Sequence, residues 1–132
     1  MKLVNTVIYV EDVKKTVDFY QRAFSLTLKF LSECGQYAEM NTGDVSLAFV
    51  SEAFSKENGL EFNTNRVGKP YPGFEIAFES EDVQAAFDLA LKEGAKNIAN
   101  PTERRWGQTV AYVADINGVL VEICTKCYNC EC

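Results

Sequence analysis

The order of predicted elements in this chain occurs twice, and the repeat constrains the fold more than any other feature. The tripeptide Glu-Asp-Val at residues 11–13 recurs at 81–83, 70 positions later. In both places an aspartate that can cap first-turn amides opens a segment with helical periodicity. Helices are predicted over 12–24 and 82–93, and Gly94 is placed to end the second.

Short runs typical of β-strands surround each predicted helix. They fall at residues 3–10, 26–31, 36–41 and 45–51 in the first half, and at 73–79, 95–99, 108–114 and 119–124 in the second. Alignment of Tyr37 with Tyr112 and of Gly43 with Gly118 gives a shift of 75 for the later strands. The predicted fold is therefore α+β, with two tandem β-α-β-β-β modules.

The 132 residues are close to the commonest size for one domain. We expect a single domain over residues 1–125, with modules at 1–51 and 73–125 and a short tail at 126–132. The linker at 52–72 is rich in Glu, Asn, Gly and Pro and lacks periodicity, so it is expected to be irregular. An irregular stretch of this length favours a lid or an exchanged contact between subunits for part of it.

Charge and hydropathy exclude several classes of partner. The net charge of −6 disfavours nucleic acid, because binding a phosphate backbone needs clustered cations. An acidic balance mildly favours a cationic ligand through steering, although it also serves solubility alone. No apolar run is long enough to span a membrane, and the first residues do not read as a signal peptide. The expected location is cytoplasmic.

Histidine is absent from the chain. Its absence excludes Ser-His-Asp and Cys-His catalysis and every metal site that needs imidazole. Any chemistry must therefore use carboxylates, hydroxyls, thiols, lysine or arginine.

Short motifs open and close the two modules. They are YVEDV at 9–13, DFY at 18–20 and AFSL at 23–26; GFEIAF at 73–78, EDV at 81–83 and EGA at 93–95; and WGQ at 106–108, DING at 115–118 and VEI at 121–123. Together these motifs resemble the vicinal oxygen chelate superfamily, the group of glyoxalases, bleomycin-resistance proteins and extradiol dioxygenases. The resemblance implies that each module forms half of a cup-shaped mixed sheet and that two halves face each other, often across a homodimer interface.

The resemblance also implies positions for metal ligands, one on the first and one on the last strand of each module. Carried over to this chain, they are Asn5 and Leu47 in the first module and Glu75 and Glu122 in the second. Leucine cannot coordinate a metal, and asparagine offers only a neutral oxygen. No resident cofactor is therefore predicted, with a weakly held divalent metal as the open alternative.

Alternation along the strands predicts which side chains share the cup with these positions. The residues between them, such as Phe74, Ile76 and Phe78, are expected to pack beneath as core. The predicted ligand-binding residues are Asn5, Val7, Tyr9, Leu47, Phe49, Glu75, Ala77, Arg105, Trp106 and Glu122.

Two glutamates and one tryptophan are the residues most suited to function. Glu75 and Glu122, if they lie close together, are expected to have raised pKa values or a cationic partner, and they are the candidate catalytic residues. Trp106 is either a stacking wall for a flat ligand, with Arg105 beside it for an anionic group, or an aromatic residue that seals the module edge.

Four cysteines lie within the last nine residues, at Cys124, Cys127, Cys130 and Cys132, and Cys34 stands apart. Thiolates at this spacing can bind Zn²⁺ or Cu⁺, but a four-cysteine zinc site normally has a loop between its two pairs. We favour a tail of free thiols, and a metal site stays an alternative.

Three functions are compatible with these observations. The leading hypothesis is a metal-free small-molecule binding protein of the bleomycin-resistance type, which holds a cationic or aromatic ligand in a dimeric cup. The alternative is a metal-dependent lyase, isomerase or dioxygenase with a degenerate ligand set. The absence of histidine weighs against the dioxygenases, which need two imidazoles on iron. The third is a thiol-based metal buffer.

Overall fold

The computed structural model describes residues 1–128, and the chain divides into two compact units, one ending at Asn65 and the other starting at Arg66. The first unit contains β1 (Asn5–Val10), α1 (Val13–Phe24), β2 (Leu28–Leu31), β3 (Tyr37–Met40), β4 (Ser46–Ser51) and α2 (Glu52–Glu57). The second contains β5 (Glu75–Glu79), α3 (Val83–Lys92), β6 (Lys96–Glu103), β7 (Thr109–Ala114) and β8 (Leu120–Cys124). The predicted α+β class and the repeated β-α-β-β-β order are confirmed.

Each unit contains one four-stranded mixed sheet with the same topology. The strand orders are β1-β4-β3-β2 and β5-β8-β7-β6. In each sheet the first strand runs parallel to the last, and the other neighbours are antiparallel. Among the described residues, no helix is long and apolar enough to cross a membrane.

The repeated aspartates cap the two long helices as predicted. Asp12 accepts a hydrogen bond from the Lys15 amide, and Asp82 accepts one from the Ala85 amide, each at 3.0 Å. Helix α1 ends at Ser25, which has a left-handed backbone with φ 55°, where the usual residue is glycine. The capping aspartates in the sequence therefore mark the residue at which each long helix starts.

Each long helix packs on one face of its sheet and buries an apolar stripe there. In the first unit the ring of Tyr20 on α1 lies 4.9 Å from that of Phe49 on β4, and Ile8 and Val10 are buried beside them. In the second unit the buried residues include Val83, Phe87, Ala90, Val113, Val121 and Ile123. Each side chain of this size contributes about 1.5–3 kcal/mol when buried, so this layer holds each unit together.

The first part of the predicted linker is a helix rather than an irregular segment. Ser51 caps α2 by accepting a hydrogen bond from the Phe54 amide at 3.1 Å, and Glu52 is buried. The prediction of an irregular stretch from residue 52 is wrong there, because a six-residue helix is too short to show periodicity.

After α2 the chain folds back along β1, which is an edge strand. The ring of Phe62 lies 4.5 Å from that of Tyr9, and the Asn65 side-chain amide donates to the Tyr9 carbonyl at 3.2 Å. This contact gives an otherwise unpaired carbonyl of the edge strand a partner.

Two further predictions differ from the structure in the second unit. Strand β6 runs to Glu103, beyond the predicted end at residue 99, because irregular pairing around Ala99 and Thr102 lets it continue past Pro101. Phe74 is 43% exposed and is not core, because β5 begins one residue later. The other strand boundaries agree within two residues.

The turn between β7 and β8 is held by a buried aspartate and a close backbone contact. One carboxyl oxygen of Asp115 accepts from the amides of Asn117 and Val119, at 2.8 and 2.9 Å. Gly118 has φ +85°, and a Cβ added there would lie 2.5 Å from the Arg66 carbonyl oxygen. Only glycine lets the chain entering the second unit approach this closely.

Gly118→Ala is expected to destabilise the protein more than Gly43→Ala. Both residues have positive φ, which costs alanine about 1 kcal/mol, but a Cβ at Gly43 meets nothing within 4 Å. The clash at Gly118 adds about 1–3 kcal/mol. Urea denaturation with a common slope measures both losses. If both variants lose the same free energy of unfolding, the close approach of Gly118 to the Arg66 carbonyl is contradicted.

Candidate functional site

In each unit, polar side chains gather on the sheet face opposite the long helix. The first polar face consists of Asn5, Lys29, Tyr37, Glu39 and Ser46, and the second polar face consists of Glu75, Glu79, Tyr112, Glu122 and Cys124. Both sets follow from the alternation of side chains along strands whose other face is apolar.

The side chains of Glu75, Tyr112 and Glu122 come together at the centre of the second polar face. In the strand register Ala77, Glu122 and Tyr112 lie side by side on β5, β8 and β7. The Tyr112 hydroxyl donates to a Glu122 carboxyl oxygen at 2.9 Å. Glu75 lies on the same face, diagonally across the β5–β8 pair from Glu122, and the two carboxyls interact. Glu122 therefore joins the two neighbouring strands through its side chain.

The pKa of Glu75 is raised above the ordinary value of a glutamate. Although the residue as a whole is exposed, partial desolvation of its carboxyl is the largest cause. The hydrogen bond with Glu122 and the negative charge of Glu122 act in the same direction. As expected, Glu75 and Glu122 lie on the same face of the paired strands β5 and β8, and the pKa of Glu75 is raised.

Burial, together with the same carboxyls, keeps the neighbouring Tyr112 and Cys124 protonated. Burial, the hydrogen bond to Glu122 and nearby negative charge raise the pKa of Tyr112 to about 12, opposed by the positive charge of Arg104. Burial, then a hydrogen bond with Glu122, raises the pKa of Cys124 to about 11. A thiol with such a pKa is a poor nucleophile at neutral pH, because the thiolate is the reactive form.

Negative charge on the second polar face is not neutralised by ion pairs. Across residues 1–128, no lysine or arginine forms a salt bridge with Glu75, Glu79 or Glu122. The nearest cationic influence is that of Arg104 on Tyr112. This face therefore attracts a positive charge from outside the unit.

The first polar face, in contrast, satisfies its own side chains. The Asn5 amide donates to the Tyr37 hydroxyl at 3.2 Å, and that hydroxyl donates to Glu39 at 2.7 Å. Lys29 lies 3.4 Å from the other Glu39 oxygen and donates to Ser46 at 2.9 Å. The hydrogen bond from Tyr37, followed by the contacts with Lys29, lowers the pKa of Glu39. Burial and Glu39 raise that of Tyr37 to about 12.

The prediction that Leu47 and Phe49 line a ligand site is wrong. In the register, Leu47 pairs with Thr6 and Phe49 with Ile8, so both lie on the face that packs against the helices. They are 5% and 0% exposed. The error has a simple cause, because a shift of one residue moves a side chain to the other face of a strand.

The register also corrects the alignment of the two copies. Ala48 pairs with Val7 and Glu39, as Glu122 pairs with Ala77 and Tyr112. The position in the first unit that corresponds to Glu122 is therefore Ala48, 74 residues earlier (122 − 48), and the shift of 75 is one too many. The tyrosine and glycine identities that suggested 75 do not reflect equivalent strand positions.

The remaining predicted residues fall into three groups. Asn5, Val7 and Tyr9 lie on one face of the first sheet, with Tyr9 against Phe62, and Glu75, Ala77 and Glu122 lie on the second polar face. Arg105 and Trp106 lie in the turn between β6 and β7. The Trp106 indole donates to Gln108 at 2.9 Å and is half-buried, whereas Arg105 is exposed.

Several residues of the two faces were not predicted. In the first unit the resemblance points to ligand positions only at Asn5 and Leu47. It therefore gives no indication of the polar residues Lys29, Tyr37, Glu39 and Ser46. Tyr112 and Arg104 were missed too. Tyr112 pairs with Glu122 in the neighbouring strand, so the alternation of side chains along β7 would have placed it on the same face as Glu122.

The donor sets of the two units do not fit a catalytic metal. Among the described residues, no group of three or more cysteine, aspartate or glutamate side chains is arranged to hold a metal ion. At the family positions, Ala48 offers no donor, Asn5 offers only a neutral amide oxygen, and only Glu75 and Glu122 carry charge. Three or four protein ligands are the norm for such a site.

The cysteine tail lies partly outside the described residues, since Cys130 and Cys132 fall beyond residue 128. Cys127 is disulfide-bonded, which differs from the predicted tail of free thiols. Cys34 and Cys124 are free, the former exposed and the latter buried.

Glu75→Gln is expected to make the protein more stable at neutral pH. A carboxyl with a raised pKa in the folded state costs stability once it is ionised, so the cost is present above its folded pKa and is absent below its unfolded pKa. The gain should therefore disappear as the pH falls through the ordinary range of glutamate. Urea denaturation at several pH values measures this, and Glu79→Gln controls for the loss of one charge on the same strand. A gain that is independent of pH would contradict the coupling.

Comparisons with known proteins agree with this architecture. Residues 3–127 match the model of the Glyoxalase-like domain family. Protein YraH of Bacillus subtilis (strain 168) is 29% identical over 124 residues, which cover 93% of this chain and 97% of that protein.

Solved structures share the fold at low sequence identity. A glyoxalase-related enzyme from Fulvimarina pelagi has a TM-score of 0.81 at 16% identity, covering 95% of this chain and 88% of that one. A glyoxalase/bleomycin resistance protein/dioxygenase family enzyme from Burkholderia phytofirmans PsJN has a TM-score of 0.72 at 19% identity, covering 95% and 98%. The chain belongs to the Glyoxalase-like domain family, within the vicinal oxygen chelate superfamily.

Proposed function

We propose that this protein binds a small molecule without a metal, and that a cationic group of the ligand is held at the second polar face. The observation that carries the proposal is the pair of neighbouring carboxyls of Glu75 and Glu122 on one face of the sheet, which has no ion-paired lysine or arginine among the described residues. The expected homodimer and cytoplasmic location stay predictions.

The carboxyl pair favours a cation for an electrostatic reason. Two carboxyls within hydrogen-bonding reach ionise together only at a cost, which the raised pKa of Glu75 expresses. An ammonium or guanidinium group placed between them removes that repulsion. The pair is therefore better suited to an organic cation than to a neutral or anionic ligand.

Two aromatic side chains of the second unit suit a flat ligand. The hydroxyl of Tyr112 is bonded to Glu122, which fixes the orientation of the ring. Trp106, in the turn that leads into β7, is held by its hydrogen bond to Gln108. Fixed rings contribute contact area at little entropic cost and attract cations through their faces.

A metal-dependent enzyme of the same superfamily is the weaker alternative. The donors at the family positions are incomplete, and histidine is absent from the sequence. The buried thiol of Cys124 is protonated at neutral pH because its pKa is about 11. Binding makes fewer demands on these residues than catalysis does.

Ethidium, an aromatic cation, is expected to bind at neutral pH more tightly than fluorescein, an aromatic anion of similar size. Glu122→Gln should weaken ethidium binding about fivefold to tenfold, because it removes one charge of the pair. Isothermal titration calorimetry measures both ligands. The matched control is Glu103→Gln, which removes the same charge at the exposed end of β6.

Affinity for ethidium should also fall as the pH is lowered through the raised pKa of Glu75, because protonation neutralises the pair. Equal weakening by Glu122→Gln and Glu103→Gln would show a general charge effect and would contradict the proposed site. Preference for fluorescein would contradict the class of ligand.

Removal of metal should leave binding unchanged. Protein treated with a chelator is expected to bind ethidium with the same affinity as untreated protein, because the two carboxylates are proposed to pair with the cationic group of the ligand directly and not through a metal ion. Turnover of a glutathione hemithioacetal by that protein, restored by Mg²⁺ or Mn²⁺ and abolished by Glu122→Gln, would favour the enzyme instead. Calorimetry and a spectrophotometric assay measure the two outcomes.

A further inference from the structure

The second unit contains a cavity of about 230 Å³ that shares no residue with the second polar face. Three segments line it: the chain before β5, the junction of α3 with β6, and the β7–β8 turn. The lining residues are Val67, Gly68, Tyr71, Gly94, Lys96, Ala114, Asp115, Ile116 and Gly118.

The floor of this cavity is fixed by the backbone. Gly118 lies against the carbonyl of Arg66, so the chain before β5 lies directly over the β7–β8 turn. Asp115 holds the turn through two amide hydrogen bonds and is 2% exposed. The cavity is therefore formed before any ligand arrives, which lowers the entropic cost of binding.

The walls combine one cation with apolar and aromatic surface. Lys96 is exposed and, within residues 1–128, its ammonium forms no salt bridge. Val67 and Tyr71 present apolar surface, 64% and 39% exposed. Asp115 is the acidic residue of the lining, and its carboxylate already accepts two backbone hydrogen bonds.

The lining of the cavity offers a cation in an acidic protein. Lys96 is the lining residue that carries a positive charge, in a protein of net charge −6. A lysine beside a concave apolar surface attracts an anion with an apolar body.

We propose that this cavity is a second ligand site, which takes a small anion with a flat apolar body, such as an aromatic carboxylate. The anionic group pairs with Lys96, and the flat body lies against Tyr71 and Ile116. Ligand sites for drug-sized molecules occupy about 300–1,000 Å³, so a smaller cavity suits a ligand of roughly ten non-hydrogen atoms. The expected ligand is an anion here and a cation at the second polar face, and the cavity shares no residue with that face. Failure of one proposal therefore leaves the other standing.

Benzoate titrated into ¹⁵N-labelled protein tests the proposal by nuclear magnetic resonance. Saturable amide shifts are expected at Gly94, Lys96 and Gly118, with benzamide, the neutral isostere, binding about fivefold more weakly. Lys96→Gln should weaken benzoate to the level of benzamide. Lys92→Gln, which removes the same charge from the exposed last turn of α3, should change the affinity by less than about twofold.

The spectra also report folding, so a variant that fails to fold is distinguished from one that fails to bind. Tyr71→Leu provides a second variant, expected to weaken benzoate and benzamide alike. Equal affinities for benzoate and benzamide, equal effects of Lys96→Gln and Lys92→Gln, or shifts that avoid the cavity would overturn the proposal. Ethidium should not displace benzoate, and displacement would show that the two sites are one.

Discussion

The constraint on which the rest of the structure depends is the burial of one face of each sheet under one amphipathic helix. That layer contains the large buried side chains, such as Tyr20 against Phe49 in the first unit and Phe87, Val121 and Ile123 in the second. Because successive side chains along a strand point to opposite faces of the sheet, the neighbours of these residues lie on the face away from the helix. The polar faces are therefore a consequence of the core, and their residues are spaced two apart along each strand because the core residues are.

The sequence was sufficient for the topology because local and global signals agree. The repeated capping aspartates and the helical periodicity place α1 and α3, and the short apolar runs place the strands. The register of the last strand in each copy could not be read in the same way. Every residue of β4 is buried, so no alternation marks which side chains face the helix, and Leu47 was assigned to the wrong face. In β8 the half-buried Glu122 stands between Val121 and Ile123, and the assignment was correct.

The two copies share a backbone and differ in how they treat charge. In the first, Lys29 offsets Glu39, and the hydroxyl of Tyr37 completes a closed set of partners. In the second, Glu122 takes the place that Ala48 occupies in the first, and it meets Glu75 without a lysine in reach. A duplicated fold thus provides one neutral face and one acidic face. Pairwise contacts of this kind cannot be inferred from sequence, because they depend on strand register to within one residue.

The acidic pair has a cost that the fold does not require. Glu75 is exposed and makes no contribution to the apolar layer, so a glutamine there would keep a hydrogen bond to Glu122 and remove the repulsion. Residues that hold a structure together tend to satisfy one another, as Asn5, Tyr37 and Glu39 do. Residues that await a ligand leave an interaction incomplete, and the incomplete interaction sets the charge of the ligand that relieves it. By this physical criterion, the second polar face is suited to binding and the first to structure.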